Sequence, residues 1–338
     1  MSFFNKPFRA ALLATAITAT GTALAAQDGY PLTLDNCGQV LQFDAAPARV
    51  VTVGQAGTEI LYRLELQEYV AATSNWFTDV APQFKDINAG IERLADNFPS
   101  FESVVAKRPA LVTADFFYGI GPQGVVGKRE QFHSLGINTY VLASQCLDQD
   151  SSKGSDGVRT AMFSLDSLYQ NISDYAAIFN VKAKGQALVD ELKQREAHAI
   201  ERAGKLKNSG QSAVVWYSSA DMEMDPWVAG ASGVPAWMMQ TLGVRNVVES
   251  NEVWPSVGWE SIAKADPDVI VLAEMSRRRF EADDVEAKIE FLRTDPVTRE
   301  MKAVKNGRIV VMDAHAMEVT LRAIEGLETL LAALESNE

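Results

Sequence analysis

Between residues 165 and 206 the chain shows no strand pattern, only helix formers, and this stretch separates two segments that do alternate. Asn180 breaks it. Residues 181–205 then read as one uninterrupted amphipathic helix rich in Ala, Lys, Glu and Gln. Ahead of it, apolar runs at 49–53, 69–72, 110–114 and 137–142 fit strands, and the spacing of Ile60, Leu61 and Leu64 predicts a helix over 55–66. Behind it, strand patterns recur at 213–217, 269–272 and 309–312, with helices predicted over 235–242 and 319–334. Residues 30–43 alternate around Asn36-Cys37-Gly38, which reads as a small β-hairpin. Strands alternating with helices build α/β units around a mainly parallel sheet. The expected fold class is therefore α/β: two lobes with mainly parallel central sheets, joined by one long linker helix. The boundaries fall at 26–180 for the N-terminal lobe, 181–206 for the linker and 207–338 for the C-terminal lobe.

Residues 1–25 are read as a cleaved secretory signal. Lys6 and Arg9 make a positive start, residues 10–19 an uncharged small and apolar run, and Ala23-Leu24-Ala25 a cleavage site. A membrane anchor would need about 20 strongly apolar residues, and several Thr dilute this run. The expected location is the periplasm. Losing Lys6 and Arg9 takes the net charge from −13 to −15, which disfavours nucleic acid and anionic lipid as partners. Two cysteines, Cys37 and Cys146, remain. In an oxidising compartment they suggest one disulfide, the alternative being two separate buried thiols.

The two segments also repeat. Phe101-Glu102-Ser103-Val104 leads through Pro109 into one strand pattern, and Trp259-Glu260-Ser261-Ile262 leads through Pro267 into another. Glu to Pro is seven residues in both. This implies two related lobes, each with a Glu at the same helix N-terminus, where an acid suits the helix dipole and capping alone would explain it.

Signatures of catalysis are missing: the sequence has no Gly-x-Ser-x-Gly, no P-loop and no His-Glu-x-x-His. With three His in all (His133, His198 and His315), a bare metal site built from several His is disfavoured. His198 is expected to be solvated and His133 to be surface or packing, while His315, with Asp313, follows the last strand pattern and is a weaker contact candidate. Gly119-Ile120-Gly121-Pro122-Gln123-Gly124 matches a dinucleotide fingerprint, but Pro122 is awkward in the turn and the next strand ends without an acid. It reads better as a loop at a cleft edge. Trp76, Trp216, Tyr217, Trp227 and Trp254 fall at or beyond predicted strand ends, and Arg277-Arg278-Arg279 follows the strand at 269–272. Planar rings and fixed cations suit a bulky anionic ligand, against the plainer reading of core Trp and a solvated Arg loop. Arg322 is a further, weaker candidate.

Ordered along the chain, Pro47-x-Arg49-Val50-Val51, Thr58-Glu59-Ile60-Leu61, Glu102-Ser103 with Lys107-x-Pro109, Trp259-Glu260-Ser261-Ile262 with Asp266-Pro267-Asp268-Val269-Ile270, and 303–308 form a set. The set resembles the periplasmic substrate-binding proteins of ABC importers for iron–siderophore complexes, haem and cobalamin, over nearly all of the mature chain. That resemblance implies two α/β lobes on a single helical backbone, ligand between the lobes, and no catalysis. It implies a ferric siderophore as the transported ligand, with cobalamin, haem or another cofactor-sized molecule as the alternative, and no intrinsic cofactor. It implies a monomer delivering to a dimeric inner-membrane permease, with Glu102 and Glu260 docking against permease arginines. Some related binding proteins share Asn36-Cys37-Gly38, a second Cys like Cys146, Trp216-Tyr217-Ser218-Ser219 and Gly230-x-x-Gly233-x-Pro235. They are associated with iron chelates and with a deazaflavin precursor. A periplasmic enzyme on a small substrate and a ligand-presenting sensor are the contrasting classes.

Overall fold

The opening alternation folds as the hairpin expected. β1 (Leu32–Asn36) and β2 (Gln39–Phe43) pair antiparallel, with Asn36 opposite Gln39. A two-residue connection matched to strand twist needs positive φ at both positions, and Cys37 (55°) and Gly38 (77°) supply it. This computed structural model describes residues 1–2, 29–146, 149–150, 158–159, 161–204 and 210–335. Residues 3–25 of the expected signal lie outside the described residues.

The first lobe is built on five parallel strands: β3 (Val50–Val53), β4 (Val70–Ser74), β5 (Arg93–Ala95), β6 (Leu111–Ala114) and β7 (Asn138–Val141), in the order β5-β4-β3-β6-β7. Every residue of β3 and β6 is buried, the signature of parallel strands covered on both faces. Between the strands run α1 (Gln55–Arg63), α2 (Lys85–Ala89), α3 (Phe101–Val105), α4 (Phe117–Ile120) and α5 (Arg129–Ser134). A short ribbon, β8 (Gln149–Asp150) with β9 (Val158–Arg159), follows.

α6 (Asp166–Ile178) ends at a break where Asn180 takes φ 56°, and α7 (Lys182–Ala203) is the long helix. Its 22 residues span roughly 33 Å at 1.5 Å each. The second lobe then runs β10 (Ser212–Ser218), β11 (Trp227–Val228), α8 (Val234–Leu242), β12 (Arg245–Asn246), α9 (Trp259–Ala265), β13 (Val269–Glu274), α10 (Val285–Thr294), α11 (Lys302–Lys305), β14 (Ile309–Asp313) and α12 (Ala323–Glu335). Its sheet orders β11-β10-β13-β14 with β12 beside β10, parallel except for β11 at the edge. The closing helix starts later than its apolar spacing suggested. Thr320 donates its hydroxyl to His315 O (2.7 Å) and accepts the Arg322 N–H (3.1 Å), which folds residues 319–322 into a turn instead.

α7 packs against α6 on one side and against α8 and α12 on the other. One apolar core consequently runs from Ile60 and Tyr175 through Leu188 and Leu192 to Leu242 and Leu330. The long helix is held laterally to α12 by Arg195 on Glu328 (2.7 Å) and Arg202 on Glu335. The half-repeat is visible in the backbone. Arg108 (φ 49°) and Asp266 (φ 45°) turn the chain six residues after Glu102 and Glu260 respectively. Two residues later Ala110 N–H donates to Arg49 O and Asp268 N–H to Ser212 O, both at 2.9 Å.

Candidate ligand-binding cleft

Strands β4, β5 and β6 of the first lobe and β13 of the second release their chains toward the same seam. In parallel sheets, ligands gather at carboxyl ends of strands. Here a groove of three adjoining chambers, about 600, 440 and 390 Å³, lies between the lobes. Neighbouring chambers share walls: Asn97, Arg277 and Arg279 between the first two, Thr78, Ser276 and Arg278 between the next. The largest is walled on the first-lobe side by Phe77, Phe98, Phe116 and Tyr118, and on the second-lobe side by Arg277 and Arg279. Phe77 meets Phe116, and Phe98 meets Tyr118, at 6.0 Å between ring centroids.

The arginine loop is fixed from below. Asp283 is buried and accepts the Arg279 N–H (2.7 Å), the Phe280 N–H (3.0 Å) and the Ser218 hydroxyl (2.6 Å). Lys288 of α10, fully buried, donates to Tyr217 O and to Ala273 O (2.8 Å), the carbonyls at the ends of β10 and β13. Burial pushes the Lys288 amine down to about 7. A neutral amine keeps two N–H donors, enough for both carbonyls. Arg277 crosses to the other lobe. Its N–H donates to Phe77 O (3.1 Å), Nη1 donates to Asn97 Oδ1 (3.0 Å), and the guanidinium lies 4.1 Å from the Phe77 ring centroid. Arg278 instead folds back on its own loop, donating to Met275 O and Asp283 O, with Asp284 3.6 Å away.

At the third chamber, which Thr78, Asp79, Asp313 and the weaker candidate Arg322 line, the lobes meet through charge. Arg322 donates to both oxygens of Glu59 (Nε 3.1 Å to Oε2), to Thr78 Oγ1 (3.1 Å), to Asp79 O (2.8 Å) and to Asp313. Gln55 braces the same carboxylate at 3.2 Å. His315 sits 3.9 Å from Glu59, but burial, aided by Arg322, holds its pKa well below the usual value. It is a neutral interior ring and does not line the groove, which corrects its reading as a contact. At the N-terminus of α1, Asp115 accepts the Ala56 and Gly57 N–H groups (2.7 and 2.9 Å), and burial pushes its carboxyl up to about 7.

A family model described as periplasmic binding protein matches residues 50–316, most of the chain. The chain belongs to that family. Among solved structures, a periplasmic binding protein from Veillonella parvula superposes with a TM-score of 0.72 at 20% identity, over 90% of this chain and 97% of that one. A structure titled as an ABC-type Fe3+-hydroxamate transport system, from Saccharomonospora viridis, gives 0.71 at 24% identity over 90% and 99%. A periplasmic haem-binding protein from Pseudomonas aeruginosa gives 0.66 at 20% identity over 85% and 92%. Among curated proteins there is no match.

In this periplasmic binding protein the aromatic residues expected at the ligand are only partly brought together. Trp76 borders the middle chamber, but it is 2% exposed, with Nε1 donating to Thr73 Oγ1 (2.9 Å) and Arg93 4.6 Å over its ring. Trp216 has no exposed surface. Its Nε1 donates to Ser218 O (3.0 Å), and its ring packs on Trp259 and Phe291 in the second-lobe core, so it presents no face to a ligand. Position at a strand end misled there, because β10 continues past Trp216 to Ser218. Tyr217 and Trp254 stack on each other at 4.5 Å, half-buried, with Trp254 donating to Glu318. Trp227 packs on Phe280 (5.2 Å), next to Arg279. None of these last three lines a chamber of the groove. The aromatic wall is made instead by phenylalanines and Tyr118, which sequence reasoning missed. The signal was present in Phe116-Phe117-Tyr118, directly after the apolar run at 110–114.

Cys37 and Cys146 are bonded, tying the hairpin turn to the segment after β7 across 109 residues. Gln145, beside Cys146, accepts the Phe117 N–H (3.2 Å), so the bonded segment also touches the aromatic wall. Of the dinucleotide-like run, Gly119 and Ile120 complete α4 and are buried, and Val125 just beyond it reaches the main chamber. His133 is half-buried against Thr139 (2.9 Å). Glu102 and Glu260 are exposed in the first turns of α3 and α9, and neither forms an ion pair among the described residues. Ser100 already caps α3, accepting the Ser103 N–H at 3.2 Å, so Glu102 is not needed for that task. No described helix is long and apolar enough to cross a membrane, and no group of three or more His, Cys, Asp or Glu among the described residues could hold a metal ion.

Proposed function

We propose that this is a periplasmic solute-binding protein that captures an anionic metal chelate, a ferric siderophore, and delivers it to an ABC importer permease without acting on it chemically. One observation carries the reading: the main chamber opposes aromatic rings on one lobe to Arg277 and Arg279 on the other. A bulky, polarisable, negatively charged ligand engages both walls through ring contacts and charge-assisted hydrogen bonds. The family, and the Fe3+-hydroxamate and haem titles among similar structures, agree with a chelate of that size. The signal at residues 1–25, the lobes at 26–180 and 207–338 and the helix at 181–206 belong to this reading, as do export to the periplasm and a monomeric state. Glu102 and Glu260 are the docking points for a permease dimer.

A second reading, haem, has its own observation. The Tyr118 side chain, 37% exposed, lines the main chamber, and a Tyr oxygen is an established axial ligand for haem iron. Native mass spectrometry of the mature protein against ferric hydroxamates, ferric catecholates, haem and cobalamin tests both. A one-to-one complex with a ferric siderophore is expected. Binding of haem alone selects the second reading, and binding of none removes both.

A further inference from the structure

Asn75, directly after β4, takes a left-handed conformation, φ 58°. Most side chains avoid that region, and Asn tolerates it better than most. Its N–H is held by Ala95 O (3.3 Å) and Asn97 O (3.1 Å), and the next N–H, of Trp76, by Asp96 O (3.1 Å). The turn is therefore locked by β5 and the residues after it. The side chain lines the main chamber and is 2% exposed, yet its Nδ2 has no hydrogen-bond partner among the described residues. Arg277, on the opposite wall, has a second orphan: its Nε is buried and likewise unpartnered. Native proteins pair the large majority of buried polar groups, so two orphans on one chamber call for an explanation. Both are donors, and no carboxylate side chain is among the residues lining that chamber. A strained, locked backbone that fixes a polar group at a ligand site is a known use of such strain.

We propose that Asn75 is a specificity-determining residue whose carboxamide, with Arg277 facing it, binds an anionic oxygen on the chelate's periphery. The inference rests on the anionic-chelate reading above and deepens it by naming the donors that recognise the ligand's charge. A carboxylate or catecholate oxygen accepts from both donors, and the positive charge of Arg277 and Arg279 makes an anion the better acceptor. A chelate of zero net charge draws less from these donors.

The test uses the mature protein with three probes: ferric citrate, an anionic ferric tris-catecholate, and a neutral ferric tris-hydroxamate. Asn75→Asp keeps the shape and the tolerance for positive φ but turns a donor into an anion. Asn75→Gly removes the carboxamide without backbone strain. With folding checked by circular dichroism and binding by Trp fluorescence, Asn75→Asp should weaken an anionic probe at least about 30-fold and Asn75→Gly about tenfold. The neutral probe should change less than about threefold in either. A merely structural role would weaken all three alike, which would overturn the inference, as would unchanged affinity for the anionic probes in a folded variant. Wild-type protein that binds only the neutral probe overturns this inference and the anionic charge of the ligand, while chelate capture itself stands. Wild-type protein that binds no chelate overturns the reading of the cleft and this inference with it.

Discussion

Arg322 grips both oxygens of Glu59 with the Nε–Nη2 edge of its guanidinium across 263 residues of sequence, and both side chains are buried. This pair joins the lobes at the third chamber, where Asp313, Thr78 and the Asp79 carbonyl complete the guanidinium's partners. Removing one member of a buried ion pair leaves the other charge desolvated and unpaired, at about 3–5 kcal/mol. Arg322→Met should therefore destabilise the fold by roughly that amount in urea unfolding. Arg322→Met with Glu59→Gln should recover much of the loss. A single variant as stable as the wild type would show that the pair does not hold the lobes.

The same pair and the continuous core on α7 bear on motion. Bending one long helix must preserve every hydrogen bond along it, unlike rotation about paired loop hinges. Closure on ligand should be modest, and small-angle scattering profiles with and without a ferric chelate should nearly coincide. A large contraction would show that α7 does not act as a rigid spine.

Lys288 gives the stability a pH dependence of definite sign. Its folded pKa, about 7, lies below the value of 10.5 for an unhindered Lys. Between these values the unfolded chain holds a proton that the folded chain does not, so stability rises with pH across that window. Below about 7 both states are protonated and the penalty for burying the cation is present in full. Lys288→Met loses two hydrogen bonds but also this slope. Urea unfolding at pH 7 and pH 9.5 should show a gain in the wild type that is smaller in the variant. Equal slopes would mean that the buried amine stays charged.

Much of the architecture was legible in the sequence because parallel strands buried on both faces are written as plain apolar runs, as in β3 and β6. The long helix was legible from composition, and its start from Asn180, which takes the positive φ that ends α6. The groove was less so. Arg277, Arg278 and Arg279 reach it, but Trp216 does not, since β10 continues past it and its ring packs into the second-lobe core. Asn75 carries no local pattern at all. Its role comes from a left-handed turn and from an arginine about 200 positions later, which only tertiary structure brings together.

The bond between Cys37 and Cys146 closes a loop of 109 residues. Cross-linking over that span constrains the unfolded chain and contributes about 2–4 kcal/mol. Cys37→Ser with Cys146→Ser should lower stability by that order in urea. Thiol titration of unreduced, unfolded wild-type protein should find none, and two reactive thiols would contradict the bond.

In the proposed function Glu102 and Glu260 bear on transport and not on capture. Each stands exposed in the first turn of a helix that leads through a Pro into β6 or β13, at matching points of the two halves. Two equivalent anchors on two related lobes fit a partner with two-fold symmetry. Neither carboxylate lines the groove. Exposed ion pairs are screened by salt, whereas contacts inside a groove are screened less. Glu102→Ala with Glu260→Ala should therefore leave chelate affinity nearly unchanged in the purified protein and abolish uptake in cells. Replacing Arg277, Arg278 and Arg279 by Ala should do the reverse, with Arg278 contributing least because it is spent on its own loop. Binding titrations and uptake assays on the two variants decide the matter: a folded double-Glu variant that no longer binds chelate would place those residues at the ligand after all.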